Sequence, residues 1–216
     1  PHYYSFHPPQ NRLRVLEQSG ILNYIRSGLR EARKKRPRMQ QTSSSSDDIY
    51  YYYCDLGCNE GDLTMAMANA LVDVKEGGWI SPPHKDNGCK NVCVEDNTSS
   101  TSLPTAAVKC LGLDLDPMLI ERANDKYYRD YCDVVNATFK VCNLCSESQH
   151  DDACKYWSAN ASSDNNNMPL FHLTTIFSTT MWIHVHAGDE GLRDFLERAC
   201  KWTKRFMLIE PQPSGW

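Results

Sequence analysis

The chain has 216 residues, of which 41% are hydrophobic and 23% charged, and this suits one folded domain spanning residues 1–216. The formal net charge of −4 argues against a uniformly basic surface. No window of about eighteen residues is wholly apolar and no secretory signal pattern opens the chain, so we expect no membrane span and a cytoplasmic or nuclear location. We also expect a monomer.

The N-terminal segment, residues 1–20, begins with aromatic and imidazole side chains in HYYSFHPP and continues as NRLRVLEQSG. The second stretch predicts one helix that reaches Leu29 and ends before Pro37, because proline cannot continue a helix. Residues 26–38 carry seven cations in thirteen positions. Such a run is typical of a solvated helix face, although it is also suited to contact the backbone of a polyanion.

The first predicted strand is the β-branched and aromatic run IYYYYCDLG. A helix is predicted from Asp62 to Val74, because its apolar residues recur with helical spacing. Residues 76–105 are rich in Gly, Pro, Ser and Asn, which predicts an inserted surface loop. A second strand, AAVKCLGLDLD, leads to Asp116, the expected N-cap of a helix that has Pro117 at its first position.

Three further strands are predicted in ATFKVCNLC, LFHLTTIFS and RFMLIE, with a second polar insertion over residues 146–168. A helix over GLRDFLERACKWTK places Leu192, Phe195, Leu196 and Ala199 on one stripe. Buried strands that alternate with helices predict an α/β fold, a mostly parallel sheet with helices on both faces.

The turn that closes the first strand, DLGCNEG, has Gly57 and Gly61 with Asn59 between them. In parallel sheets such turns let a ligand approach the backbone beyond the carboxyl ends of the strands. The spacing departs from the G-x-G-x-x-G of dinucleotide sites, because asparagine occupies the intermediate position. A ligand loop and an ordinary strand-to-helix turn are both compatible with this pattern.

Five segments carry a more specific pattern: PHYYSFHPPQNRLRVL, DLGCNEGDLT, GLDLDPMLIERA, TTMWIHVHAGDEGL and LIEPQP. Together they resemble the bicoid-interacting-protein family of RNA 5′-phosphate methyltransferases, most closely its 5′-monophosphate branch. The resemblance implies the Rossmann-like sheet of class I methyltransferases, which has seven strands. Because the chain stops at EPQPSGW, we expect the C-terminal strands of that sheet to be missing.

The same resemblance implies that the chain binds S-adenosyl-L-methionine, with S-adenosyl-L-homocysteine as product. Arg12 is expected to contact the methionine carboxylate, Asp114 the ribose, and Gly57 and Asn59 the back of the cofactor. Asn143 and Leu144 stand where the family has Asp-Phe beside the adenine, so an amide acceptor remains and an aromatic contact is lost. The implied cofactor residues are Arg12, Asp55, Gly57, Asn59, Asp114, Asn143 and Leu144.

The implied substrate is the 5′-monophosphate of RNA, either a microRNA precursor or histidine transfer RNA. A terminal phosphate is largely dianionic at neutral pH, so positioning is needed more than a strong base, and no metal is expected. Tyr4, His7 and His184 are the predicted catalytic contacts. The alternatives are that Tyr3, Tyr4 and Phe6 are ordinary packing residues of the N-terminal segment, and that His184 and His186 are loop histidines bonded to backbone.

Other functions stay open at this point. The chain is also compatible with a class I methyltransferase acting on a small molecule or protein, and with a catalytically silent RNA-binding module. Cys142 and Cys145 have C-x-x-C spacing, and Cys89 with Cys93 is a looser pair, so a structural zinc site is a further alternative. We expect reduced thiols and no metal, because Cys142 is predicted to lie within a strand.

Overall fold

The computed structural model describes residues 8–34, 50–72, 107–127, 135–159 and 170–211. The predicted contacts Tyr4 and His7, and the predicted loop over residues 76–105, lie outside these ranges. Within them, no helix combines the length and the hydropathy that a membrane crossing needs.

The described ranges contain six helices and five strands, and after the first two helices strands and helices alternate. The helices are α1 (Pro9–Gln18), α2 (Ile21–Lys34), α3 (Asp62–Leu71), α4 (Pro117–Tyr127), α5 (Glu147–Ala159) and α6 (Thr180–Trp202). The strands are β1 (Tyr50–Leu56), β2 (Ala107–Asp114), β3 (Val135–Val141), β4 (Phe171–Phe177) and β5 (Thr203–Glu210).

The five strands form one sheet in the order β3-β2-β1-β4-β5, and each neighbouring pair is parallel. Cys54, near the middle of β1, is opposite both Leu111 of β2 and Thr174 of β4. The order reverses at β1 and β4, which makes this pair the topological switch point where α/β proteins bind ligands beyond the strand ends. The Rossmann-like α/β fold predicted from the sequence is confirmed.

Helices cover both faces of the sheet. On one face, α2 and α3 pack against Tyr53, Val108 and Leu173, and α4 packs against Phe139. On the other face, α5 and α6 pack against Leu111 of β2 and against side chains of β1 and β4. Each fully buried large apolar side chain stabilises the fold by about 1.5–3 kcal/mol, so both layers hold the strand ends in place.

The N-terminal helix is divided where a single helix was predicted. Gly20 has a positive φ of 77°, and α1 therefore ends at Gln18 and α2 begins at Ile21. Helices commonly end at such a glycine, because it adopts the left-handed conformation without steric penalty. The single-helix prediction is wrong, and the break lets α1 reach the carboxyl edge of the sheet separately from α2.

Other boundaries also differ from the sequence predictions, among them the end of α3 at Leu71 rather than Val74. The third strand ends at Val141, so Cys142 follows the strand rather than lying in it. Helix α5 occupies much of the polar segment over residues 146–168, where no helix was predicted. Helix α6 starts at Thr180 and not in the GLRDF stretch, which places His184 in a helix.

Candidate active site

The glycine turn after β1 lies at the switch point and is built from left-handed residues. Gly57, Asn59 and Gly61 have φ values of 88°, 53° and 79°. A Cβ on Gly57 would lie 2.0 Å from Thr179 Oγ1, so both the backbone conformation and the close approach of the chain after β4 require glycine. The turn and the start of α6 are therefore in direct contact.

The turn is also fixed to the neighbouring strand β2. The backbone N–H groups of Gly57 and Cys58 donate to the carbonyl oxygen of Leu113 at 2.8 and 3.0 Å. Asn59 N–H donates to Asp114 Oδ2 at 2.8 Å. The predicted ribose acceptor therefore lies directly beside the predicted cofactor loop.

Asp114 keeps the capacity to bind a further pair of donors. Its Oδ1 accepts the N–H of Asp116 at 3.1 Å, so each carboxylate oxygen accepts one backbone N–H. An ionised carboxylate offers about four acceptor positions, which leaves one on each oxygen for neighbouring hydroxyl groups. Asp116 caps α4 by accepting the N–H of Met118 at 2.8 Å, and the predicted N-cap is confirmed.

Asp55 lies beneath the turn and is only 2% exposed. Its two oxygens accept the hydroxyls of Thr64 at 2.5 Å and Thr175 at 2.7 Å, which join α3 and β4 to the end of β1. Burial raises its pKa to about 6; the two hydroxyl bonds and Arg12 oppose this rise, and Asp114 adds to it. The structure gives Asp55 a supporting position below the loop, and its direct contact with a cofactor stays a prediction.

Arg12 brings α1 to the carboxyl ends of β4 and β5. Its Nη2 donates to Ser178 Oγ at 2.8 Å and lies 3.1 Å from Glu210 Oε1. The guanidinium is also 6.0 Å from the ring centre of Phe177. Since Arg12 lowers the pKa of Asp55, the cation acts on the same edge as the glycine turn.

Hydrogen bonds from α5 and α6 hold the segment after β3 in place. Asn143 N–H donates to Gln149 Oε1 at 2.9 Å, and Asn143 Oδ1 accepts the N–H of Cys145 at 3.0 Å. Leu144 is 5% exposed and packs in the core, while its carbonyl oxygen accepts from Arg198 Nη2 at 2.9 Å. The side chain of Leu144 thus packs in the core, and the adenine contacts of Asn143 and Leu144 stay predictions.

Helix α6 begins against the glycine turn, because Thr179 Oγ1 donates to the carbonyl oxygen of Leu56 at 3.1 Å. His184 lies one turn along this helix, about 6 Å further on at 1.5 Å per residue. Its Nε2 is 2.6 Å from Asp189 Oδ1, and Gly188 between them has the non-helical angles φ 67° and ψ −170°. His186 Nδ1 contacts the carbonyl oxygen of Trp182 at 2.9 Å, as expected for a backbone-bonded histidine.

Five of the predicted cofactor residues thus share one edge of the sheet: Arg12, Asp55, Gly57, Asn59 and Asp114. Sequence reasoning missed their partners, which are Thr64, Thr175, Ser178 and Glu210. Thr64 and Glu210 do stand in the segments DLGCNEGDLT and LIEPQP that carry the resemblance. Thr175 and Ser178 gave no signal, since a hydroxyl in a buried strand or at its end has no distinctive spacing.

The cysteines of the described ranges do not form a cluster with a metal-site pattern. Cys142 is buried and Cys145 exposed, and burial raises the pKa of the Cys142 thiol to about 11. Within the described residues, no three His, Cys, Asp or Glu side chains are grouped so that they could hold a metal ion.

The fold is that of a Rossmann-like α/β protein, and its candidate ligand site combines the glycine turn after β1 with a carboxylate at the end of β2. The sequence model of the family Bicoid-interacting protein 3 matches residues 171–215. The RNA 5′-monophosphate methyltransferase of Rattus norvegicus is 28% identical over 99% of this chain. The pre-miRNA 5′-monophosphate methyltransferase of Xenopus laevis is 27% identical, also over 99%. The predicted resemblance to the bicoid-interacting-protein family is confirmed.

This chain covers 58% of the rat protein and 65% of the frog protein. Among solved structures, the chain is similar to magnesium protoporphyrin IX methyltransferase from Synechocystis, solved with bound S-adenosylmethionine. That similarity has a TM-score of 0.43 and 12% identity, and covers 96% of this chain and 64% of the other.

Proposed function

We propose that this chain is an S-adenosylmethionine-dependent O-methyltransferase that methylates the 5′-monophosphate of RNA. The observation that carries the proposal is the 2.8 Å bond from Asn59 N–H to Asp114 Oδ2, which joins the glycine turn to the carboxylate at the end of β2. The relatives in rat and frog, named for RNA and pre-miRNA 5′-monophosphates, support this choice of substrate.

The residues at the edge fit the proposed cofactor by their chemistry. Asp114 has one acceptor position left on each oxygen, which suits the adjacent hydroxyls of a ribose. Arg12 supplies a cation suited to the methionine carboxylate, and Ser178 and Glu210 orient its guanidinium. When bound, S-adenosylmethionine supplies an electrophilic methyl group on a sulfonium.

The task of the protein is then to hold the acceptor oxygen in line with that methyl group. A 5′-monophosphate needs no strong base, because it is already largely dianionic near neutral pH. Hydrogen-bond donors that orient the phosphate are sufficient, and His184, one turn into α6, is the described candidate. Tyr4 and His7 remain the predicted donors from the N-terminal segment.

Cofactor binding is tested by the thermal shift that S-adenosylhomocysteine produces in the parent chain. We expect Asp114→Asn to abolish the shift, since one ionised acceptor oxygen becomes a donor amide. Asp116→Asn is the matched control two residues on, and it keeps an acceptor for the N–H of Met118. A full shift in Asp114→Asn would refute the assignment of the ribose site.

Substrate choice is tested with labelled methyl transfer to one RNA oligonucleotide carrying either a 5′-monophosphate or a 5′-hydroxyl. We expect label only on the monophosphate, and phosphatase treatment that removes the phosphate should abolish acceptance. Equal labelling of both RNAs would defeat the phosphate proposal. RNA binding without any transfer, in a chain that gives no cofactor shift, would favour the silent RNA-binding module.

A further inference from the structure

His184 and Asp189 form a contact that a regular helix cannot make. Residues five positions apart on an α-helix are turned by about 140° from each other, whereas side chains three and four apart are neighbours. At those spacings His184 has Ala187 and Gly188 on its C-terminal side, and neither has a polar side chain. The 2.6 Å contact with Asp189 therefore depends on the break at Gly188.

The break itself needs glycine for its backbone angles alone. Gly188 has φ 67° and ψ −170°, a region that is essentially restricted to glycine. A Cβ placed there would meet no atom within 4 Å, so packing does not require glycine. An exposed contact between two side chains contributes little to stability, and here Asp189 is 95% and His184 51% exposed. Folding stability thus does not account for a glycine-only break that joins two exposed side chains.

We propose that Asp189 is a positioning residue that orients the imidazole of His184 toward the acceptor phosphate, with Gly188 as the break that permits the contact. An ionised carboxylate only accepts hydrogen bonds, so Nε2 of His184 carries the proton and Nδ1 is the second polar atom of the ring. Fixing one ring nitrogen in this way sets the direction of the other. This inference rests on the proposed function and adds to it Asp189, the residue that orients His184 for its contact with the phosphate.

The test compares methyl transfer to a 5′-monophosphorylated RNA oligonucleotide by the parent chain and by Asp189→Asn. We expect kcat/KM for the RNA to fall roughly 10- to 100-fold, as misplacement of a reacting group does. The KM for S-adenosylmethionine and the unfolding temperature should stay unchanged. Glu190→Gln is the matched control, because it removes the adjacent exposed carboxylate, and it should keep the parent rate.

A double-mutant cycle separates positioning from an independent effect. In the His184→Ala background, Asp189→Asn should produce no further loss, because the residue that it orients is absent. Gly188→Ala should reproduce the loss of Asp189→Asn, since alanine cannot hold the break. As a readout independent of activity, the imidazole signals of His184 in ¹H–¹⁵N spectra should shift in Asp189→Asn and not in Glu190→Gln.

The outcomes distinguish this inference from the function on which it rests. Additive losses in the double mutant, unshifted His184 signals, or full activity in Asp189→Asn would overturn the positioning role while the methyltransferase stands. A parent chain that methylates neither form of the RNA would overturn the proposed function, and the positioning role would fall with it.

Discussion

Replacing Asp55 by asparagine should remove a pH dependence of stability that the structure places at one buried carboxylate. Asp55 is 2% exposed and accepts hydroxyls from Thr64 and Thr175. Asparagine has nearly the same shape and cannot ionise. Its oxygen can accept one threonine hydroxyl, while its amide can donate to the oxygen of the other.

The direction in which folding stability changes with pH follows from the pKa of Asp55, which burial raises from 3.8 to about 6 in the folded protein. Because the folded state holds this proton more tightly than the unfolded chain, the resulting stability is fully present below about pH 3.8. It is lost as the pH rises through 6. A difference of about two pKa units corresponds to about 3 kcal/mol at neutral pH, of which about 1 kcal/mol is lost between pH 5 and pH 7.

The assay is urea or thermal unfolding of the parent chain and Asp55→Asn at half-unit steps from pH 5 to pH 7. Subtracting the two curves isolates this group, and the difference in favour of asparagine should grow by about 1 kcal/mol, or roughly 2–4 °C in Tm, over that range. Asp152→Asn, at an exposed position on α5, is the matched control and should give a flat difference. A flat difference for Asp55→Asn, or one that grows toward low pH, would show that burial does not dominate its pKa.

Three further changes test the packing of the site and the sheet. Gly57→Ala should destabilise the fold by about 3 kcal/mol in urea unfolding, because its φ is 88° and the new Cβ would lie 2.0 Å from Thr179 Oγ1; adding Thr179→Ala should restore only part of this. Arg12→Gln should weaken S-adenosylhomocysteine binding about tenfold or more in calorimetry, whereas Arg14→Gln, at an exposed position on the same helix, should not. Phe195→Ala should cost about 3–5 kcal/mol in unfolding, because Phe195 is fully buried between α6 and the sheet.

The sheet was predictable because each strand is a compact apolar run, and burial on both faces leaves little alternative. Helix α5 was not, since its sequence ESQHDDACKYWSA is polar at most positions. The fold nevertheless buries His150, Asp151 and Cys154 there, and Asp151 accepts the indole N–H of Trp202 at 2.8 Å. Contacts of this kind with distant residues can stabilise a helix that lacks a hydrophobic pattern, so the spacing of its own residues does not predict it.

In the candidate site, too, some residues were predictable from the sequence and others were not. The glycine turn after β1 and the carboxylate that ends β2 were recognisable in the sequence, and the family resemblance supplied the roles predicted for Gly57, Asn59 and Asp114. The pairing of Arg12 with Glu210 joins residues at opposite ends of the chain, and no sequence spacing encodes it. The break at Gly188 was hidden for a different reason, since a glycine beside a helical pattern normally predicts a helix end and not a bend within one.

The charges at the carboxyl edge of the sheet determine which ligand groups this edge attracts and which it repels. Asp55, Asp114 and Glu210 bring three carboxylates to this edge, and Arg12 is the cation that contacts Glu210 and lowers the pKa of Asp55. Among the described residues these charges leave the edge net acidic, which attracts a ligand with more positive than negative groups, as S-adenosylmethionine has with its sulfonium and ammonium. The same field repels a phosphate dianion. We therefore expect an RNA phosphate to lie away from these three carboxylates.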